Sequence, residues 1–85
     1  MQGEATLDEI RQGGSARVLG VVGDDPISRR LADLGLRSGV EITVVRRAPL
    51  GDPTVYELCG YQLCLRRSES RRVRVERAAA PGGAR

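Results

Sequence analysis

Residues Thr54–Arg66 read TVYELCGYQLCLR, two short β runs on either side of a single glycine. Thr54–Cys59 and Tyr61–Arg66 flank Gly60 in the pattern of a tight hairpin. Side chains alternate between the faces of a strand. Tyr61, Leu63 and Leu65 therefore point one way, and Gln62, Cys64 and Arg66 the other.

Downstream, Ser68-Glu69-Ser70 is a polar turn, and Arg72–Glu76 is a last alternating strand with Val73 and Val75 inward. Upstream, Asp52-Pro53 is extended, because a residue before proline avoids the helical region. Ala48-Pro49-Leu50-Gly51 has Pro at i+1 and Gly at i+3, which suits a type I turn. Before it, Val40–Arg47 reads as a strand with Ile42 and Val44 on one face and Thr43 and Val45 on the other; Arg37-Ser38-Gly39 is the turn that precedes it.

Further upstream the period changes. Asp25 can cap a helix whose first residue is Pro26, a position where the missing amide costs nothing. Ile27, Leu31 and Leu34 fall at i, i+4 and i+7, with Ser28, Arg29 and Asp33 turned away. Gly35 stands where a left-handed C-terminal cap is wanted. A helix of about two turns is unstable alone and must pack on a sheet. Ser15–Val22 is a β run in which Gly20 suggests a bulge. Thr6–Glu9 has the form of a capping box, with Leu7 and Ile10 on one face and Gly13-Gly14 ending the turn.

This order predicts a mainly β domain: a small five-stranded barrel, closed or nearly so, with one short amphipathic helix between its first and second strands. The predicted folded unit is 6–76, with a flexible N-terminus over 1–5 and a disordered Ala/Pro/Gly-rich tail over 77–85.

Composition excludes several chemistries. The 85 residues include no His, and all 14 basic residues are Arg. There is thus no imidazole base, no Ser-His-Asp arrangement and no lysine for a phosphate loop or a Schiff base. No apolar run approaches the roughly 20 residues of a membrane span, and no signal-peptide pattern opens the chain, so a cytoplasmic non-enzyme is expected. Leu, Ile, Val and Phe total 21 residues, enough for only a small core. Cys59 and Cys64 are too few for a disulfide framework and read as reduced thiols, one or both packed as small hydrophobes. Asp24-Asp25 is explained by helix capping rather than by a metal, and no cofactor or metal site is assigned.

Three blocks in order carry a family resemblance. Arg30–Gly39 (RLADLGLRSG), Arg46–Pro53 (RRAPLGDP) and Gly60–Glu69 (GYQLCLRRSE) resemble the helix-to-turn signature, the loop and the hairpin of the FeoA family. The likeness covers about Leu7–Glu76. It implies an SH3-like β-barrel and a non-enzymatic role as the small cytoplasmic partner in bacterial ferrous-iron uptake. The implied partner is FeoB, a membrane permease with a cytosolic GTP-binding domain. Metal-ion binding enters through the family name alone. Similar domains end iron-dependent repressors of the DtxR type, so the alternative is a small regulatory domain contacting nucleic acid or a repressor partner.

Arg46, Arg47, Pro49, Leu50 and Asp52 form the candidate partner-binding loop. Its residues either merely shape the turn and cap the barrel, or present Leu50 between arginines as an anchor. Leu34 and Leu36 belong to a helix face that is either core or a surface for weak self-association or docking. Residues 1–60 carry 7 Arg and 9 acids, whereas 61–85 carry 7 Arg and 2 acids. Such a basic C-terminal part suits an acidic protein or the anionic lipid beside a permease. Nucleic acid is disfavoured because only Tyr56 and Tyr61 could stack on bases, and Tyr61 is expected to face the core. Binding of proline-rich peptides is disfavoured too, since the chain has no Trp or Phe to line a groove.

Overall fold

A computed structural model describes residues 3–77. It contains strands β1 (Glu4–Thr6), β2 (Ser15–Val21), β3 (Glu41–Arg47), β4 (Thr54–Leu58), β5 (Tyr61–Leu65) and β6 (Val73–Arg77). Helices α1 (Pro26–Asp33) and α2 (Arg67–Ser70) and a 3-10 turn at Leu7–Glu9 complete it. All strand pairs are antiparallel, in the order β1-β6-β2-β3-β4-β5. Buried side chains from all six strands meet in one core that includes Ala5, Val18, Ile42, Tyr56, Leu65 and Val75. Six strands at about 4.8 Å spacing would spread their inner faces too far apart to share one core if flat. The sheet is therefore curled over on itself.

The strand count is six rather than five. The extra strand, β1, begins in the stretch 1–5 expected to be flexible and ends at Thr6, the first residue of the expected folded unit. Only Ala5 of its three residues is buried, so no apolar alternation marks it. Pairing with β6 and an Arg74–Glu4 ion pair hold it instead. At the other end β6 takes in Arg77, while the rest of the expected tail, 78–85, lies outside the described residues. Ser68-Glu69-Ser70 is not an open turn but part of α2. Glu69 holds that turn of helix by accepting from the Arg66 amide at 2.9 Å and pairing with Arg30 of α1.

Local chemistry explains most boundaries. Asp25 caps α1 by accepting from the Ser28 amide at 3.0 Å. The helix ends in a Schellman arrangement, with Gly35 N–H on the Ala32 carbonyl and Leu36 N–H on the Leu31 carbonyl. The β4–β5 turn consists of Cys59 and Gly60, both at positive φ (52° and 82°), the conformation of a type I′ hairpin turn. In β2 the register slips between Val18 and Gly20, which makes the bulge.

The helix keeps Leu31 and Leu34 of the expected stripe against the core, but Ser28 is turned inward in place of Ile27. Ser28 is 3% exposed and Leu31 fully buried, while Ile27 is 43% exposed. Ser28 turns inward because its hydroxyl donates to the Val22 carbonyl (2.6 Å) and accepts from Arg72 (3.1 Å). The same guanidinium reaches both Asp25 carboxylate oxygens at 2.7 Å, tying the start of α1 to the β6 side of the sheet. Tyr61, expected in the core, is 40% exposed, and Tyr56 is the buried tyrosine. Neither cysteine packs as a small hydrophobe, for both are exposed.

Candidate partner-binding site

The loop between β3 and β4 is built by a second irregularity. Val44 faces Tyr56 and Arg46 faces Val55, so Val45 is an extra residue in β3. A bulge resets the alternation of faces. Val45 and Arg46 both turn to solvent, and Arg47 turns back toward the molecule. Its guanidinium donates to the Ile10 and Asp8 carbonyls and to Thr54 Oγ1 (3.2 Å). Arg47 is thus a tether that fastens the chain after the 3-10 turn to the mouth of the loop.

The loop itself is stiff. Gly51 N–H donates to the Ala48 carbonyl at 2.7 Å, the bond expected of the turn, and Ala48 N–H donates to the Pro53 carbonyl at 3.0 Å. Gly51 has φ +91°, a conformation that side-chain-bearing residues rarely adopt. Asp52 reaches out of the loop and accepts from the Arg67 amide at 2.8 Å, joining the loop to the first turn of α2. At the tip, Pro49 is exposed and Leu50 is 96% exposed. A leucine displayed this completely does not cap a core.

The candidate residues therefore divide. Pro49, Leu50 and Asp52 lie in the stiff loop, and Arg46 is exposed in β3 at its base. Arg47 is spent on internal carbonyls. Leu36 is 1% exposed and Leu34 packs against the core, so the helix-face pair does not form a surface. Sequence reading missed Arg67. A β-carbon added to Gly51 would stand 3.8 Å from the Arg67 guanidinium, which places this cation against the loop. Nothing in the spacing of residues 51 and 67 signals that closeness, because it depends on how β4 and β5 return the chain.

Electrostatics separate structural from free charge. Hydrogen bonds from Arg72, then from the Ser28 amide, hold the Asp25 carboxyl down to about 2. Arg74 lowers the pKa of Glu4 in the same way. Arg17 lies opposite Glu41 in one ladder and Glu76 in the other. Among the described residues Arg46, Arg66 and Arg67 form no salt bridge. No three His, Cys, Asp or Glu side chains among the described residues gather into a metal-holding group. No helix of the described residues is long and apolar enough to cross a membrane.

Against known proteins, the FeoA domain family matches residues 5–77. An Fe(2+) transport protein A/Fe(2+) transporter FeoB fusion protein of Porphyromonas gingivalis is 36% identical over 70 residues. The match takes in 82% of this chain but 8% of the fusion protein, so the chain spans less than a tenth of that relative. A FeoA-like protein from Clostridium acetobutylicum has a similar structure, with TM-score 0.85 and 34% identity over 93% of this chain and 92% of that one. FeoA of Stenotrophomonas maltophilia, crystallised with zinc and described as an SH3 domain protein, has TM-score 0.74 and 36% identity. That match covers 82% of this chain and 87% of the other. A manganese-dependent transcriptional repressor shares the fold alone, at TM-score 0.78 and 16% identity, over 92% of this chain and 44% of the repressor.

Proposed function

The chain belongs to the FeoA domain family, and on that premise we propose that it is a cytoplasmic, non-enzymatic accessory protein of ferrous-iron uptake. It binds a FeoB-type permease through the permease's cytosolic GTP-binding domain, and its curled sheet belongs to the SH3-like barrel class. The observation that carries this reading is Leu50, 96% exposed at the tip of a hydrogen-bonded turn. An apolar side chain fixed in place and presented to solvent loses little conformational freedom on docking, so it is suited to anchor a partner.

The P. gingivalis fusion supports the choice of partner. Two modules in one chain meet at high effective concentration, as suits a pair that works in contact. The contact acts by assembly or allostery. With no His or Lys in the sequence, the loop offers neither the usual general base nor a nucleophilic amine.

Leu50→Asp tests the reading. Its side chain touches no core, so the variant keeps the wild-type melting temperature, and capture of the permease falls to background. Undiminished capture by the folded variant overturns the role of the loop. Salt-sensitive DNA gel shifts without permease capture would support the regulatory alternative, which at present has a shared fold behind it.

A further inference from the structure

We infer that the β3–β4 loop and α2 form one composite docking surface, with Leu50 as an apolar knob inside a cationic rim of Arg67, Arg66 and Arg46. It is complementary to an apolar socket edged with carboxylates on the partner protein. The inference rests on the permease-binding function and adds the chemistry of the contact.

Three observations carry it. First, the Asp52 carboxylate accepts from the Arg67 amide at 2.8 Å, which fixes loop and helix to each other. Second, the Arg67 guanidinium lies against Gly51, the residue next to the knob. Third, Arg46, Arg66 and Arg67, like Arg11, Arg17, Arg29, Arg47 and Arg71, have no salt-bridge partner among the described residues. Asp52 is the one acid of the loop and Glu69 of α2 is paired with Arg30, so the three arginines leave the surface net positive. Guanidinium groups pair carboxylates through two parallel hydrogen bonds, and they keep their charge at every physiological pH. The unpaired arginines therefore call for acids on the partner.

A membrane surface fits less well. One leucine side chain gives too little apolar area for stable anchoring. Asp52 would also face the anionic headgroups that the arginines attract.

The experiment measures association of the full chain with the purified permease in nanodiscs of neutral lipid, at low and high salt. Protein-free anionic vesicles are run alongside. The Arg66→Glu/Arg67→Gln variant keeps the Arg67 amide for Asp52 and is checked for an unchanged melting temperature. If that variant loses stability, Arg46→Gln, on the open face of β3, serves in its place. The rim predicts association that slows about tenfold or more in the double variant and loses most of its salt dependence. Arg46→Gln has the same effect in smaller measure. Permease binding that is lost in Leu50→Asp yet indifferent to salt and to the charge variants overturns the rim and leaves the function standing. Absence of wild-type binding overturns both. Equal binding to the vesicles overturns the protein socket.

Discussion

Tyr56 is fully buried, and its hydroxyl lies near Thr54 and Ser70 without a hydrogen bond of ordinary geometry to either. Burial raises its pKa, so the neutral phenol is the form that the core holds. A buried donor without a partner costs about 1–3 kcal/mol. Tyr56→Phe keeps the ring and removes that cost, and should raise stability by about 1 kcal/mol with an unchanged denaturant slope. A urea titration checks this, and a loss of stability would show that the hydroxyl is bonded. Arg46 and Arg47 are the second lesson at this scale. They are adjacent and chemically identical, yet one is turned to solvent and the other is held by internal carbonyls. The bulge at Val45 decides which is which.

Helix α1 shows how an element is held at both ends. At its N-terminus Asp25 has a folded-state pKa of about 2 against an ordinary 3.8. The charged carboxylate is thus favoured by folding. Its contribution is fully present above the ordinary value and is lost as pH falls through the folded one. The difference in melting temperature between wild type and Asp25→Asn should be constant near neutrality and close between 3.8 and about 2. A difference that persists at the bottom of that range would assign the stability to something other than charge. At the C-terminus, Gly35 has φ +108°, and a β-carbon there would stand 3.3 Å from the Tyr61 hydroxyl. Gly35→Ala should cost about 1 kcal/mol, read as a lower unfolding midpoint. An unchanged midpoint would mean that the cap can reshape freely.

At the scale of the whole molecule, all six strands, the 3-10 turn and α1 contribute side chains to one small core. Domains of this size have a total stability of about 5–15 kcal/mol. Leu7 is fully buried in the 3-10 turn, which packs on β6 and α2 and leads into the chain that Arg47 tethers. Leu7→Ala should cost about 2–5 kcal/mol and lower the melting temperature by about 10 °C or more. Loss of the 3-10 turn alone, with the sheet still intact, would contradict a single cooperative unit. The sequence by itself determined the elements whose signals are local. The Asp25-Pro26 start and Gly35 stop of α1, the Cys59-Gly60 hairpin, the Gly20 bulge, the Ala48–Gly51 turn and the family blocks are all written in neighbouring residues. Tertiary structure decided the rest. Strand β1 exists only because β6 receives it, Ser28 is buried only because Arg72 and the Val22 carbonyl bond it, and Arg67 lies against Gly51 only because the hairpin brings α2 beside the loop. The physical reason is one of range. Caps and turns are closed by atoms a few residues apart, but face, register and surface are set by partners dozens of residues away, and no local pattern encodes which partner arrives.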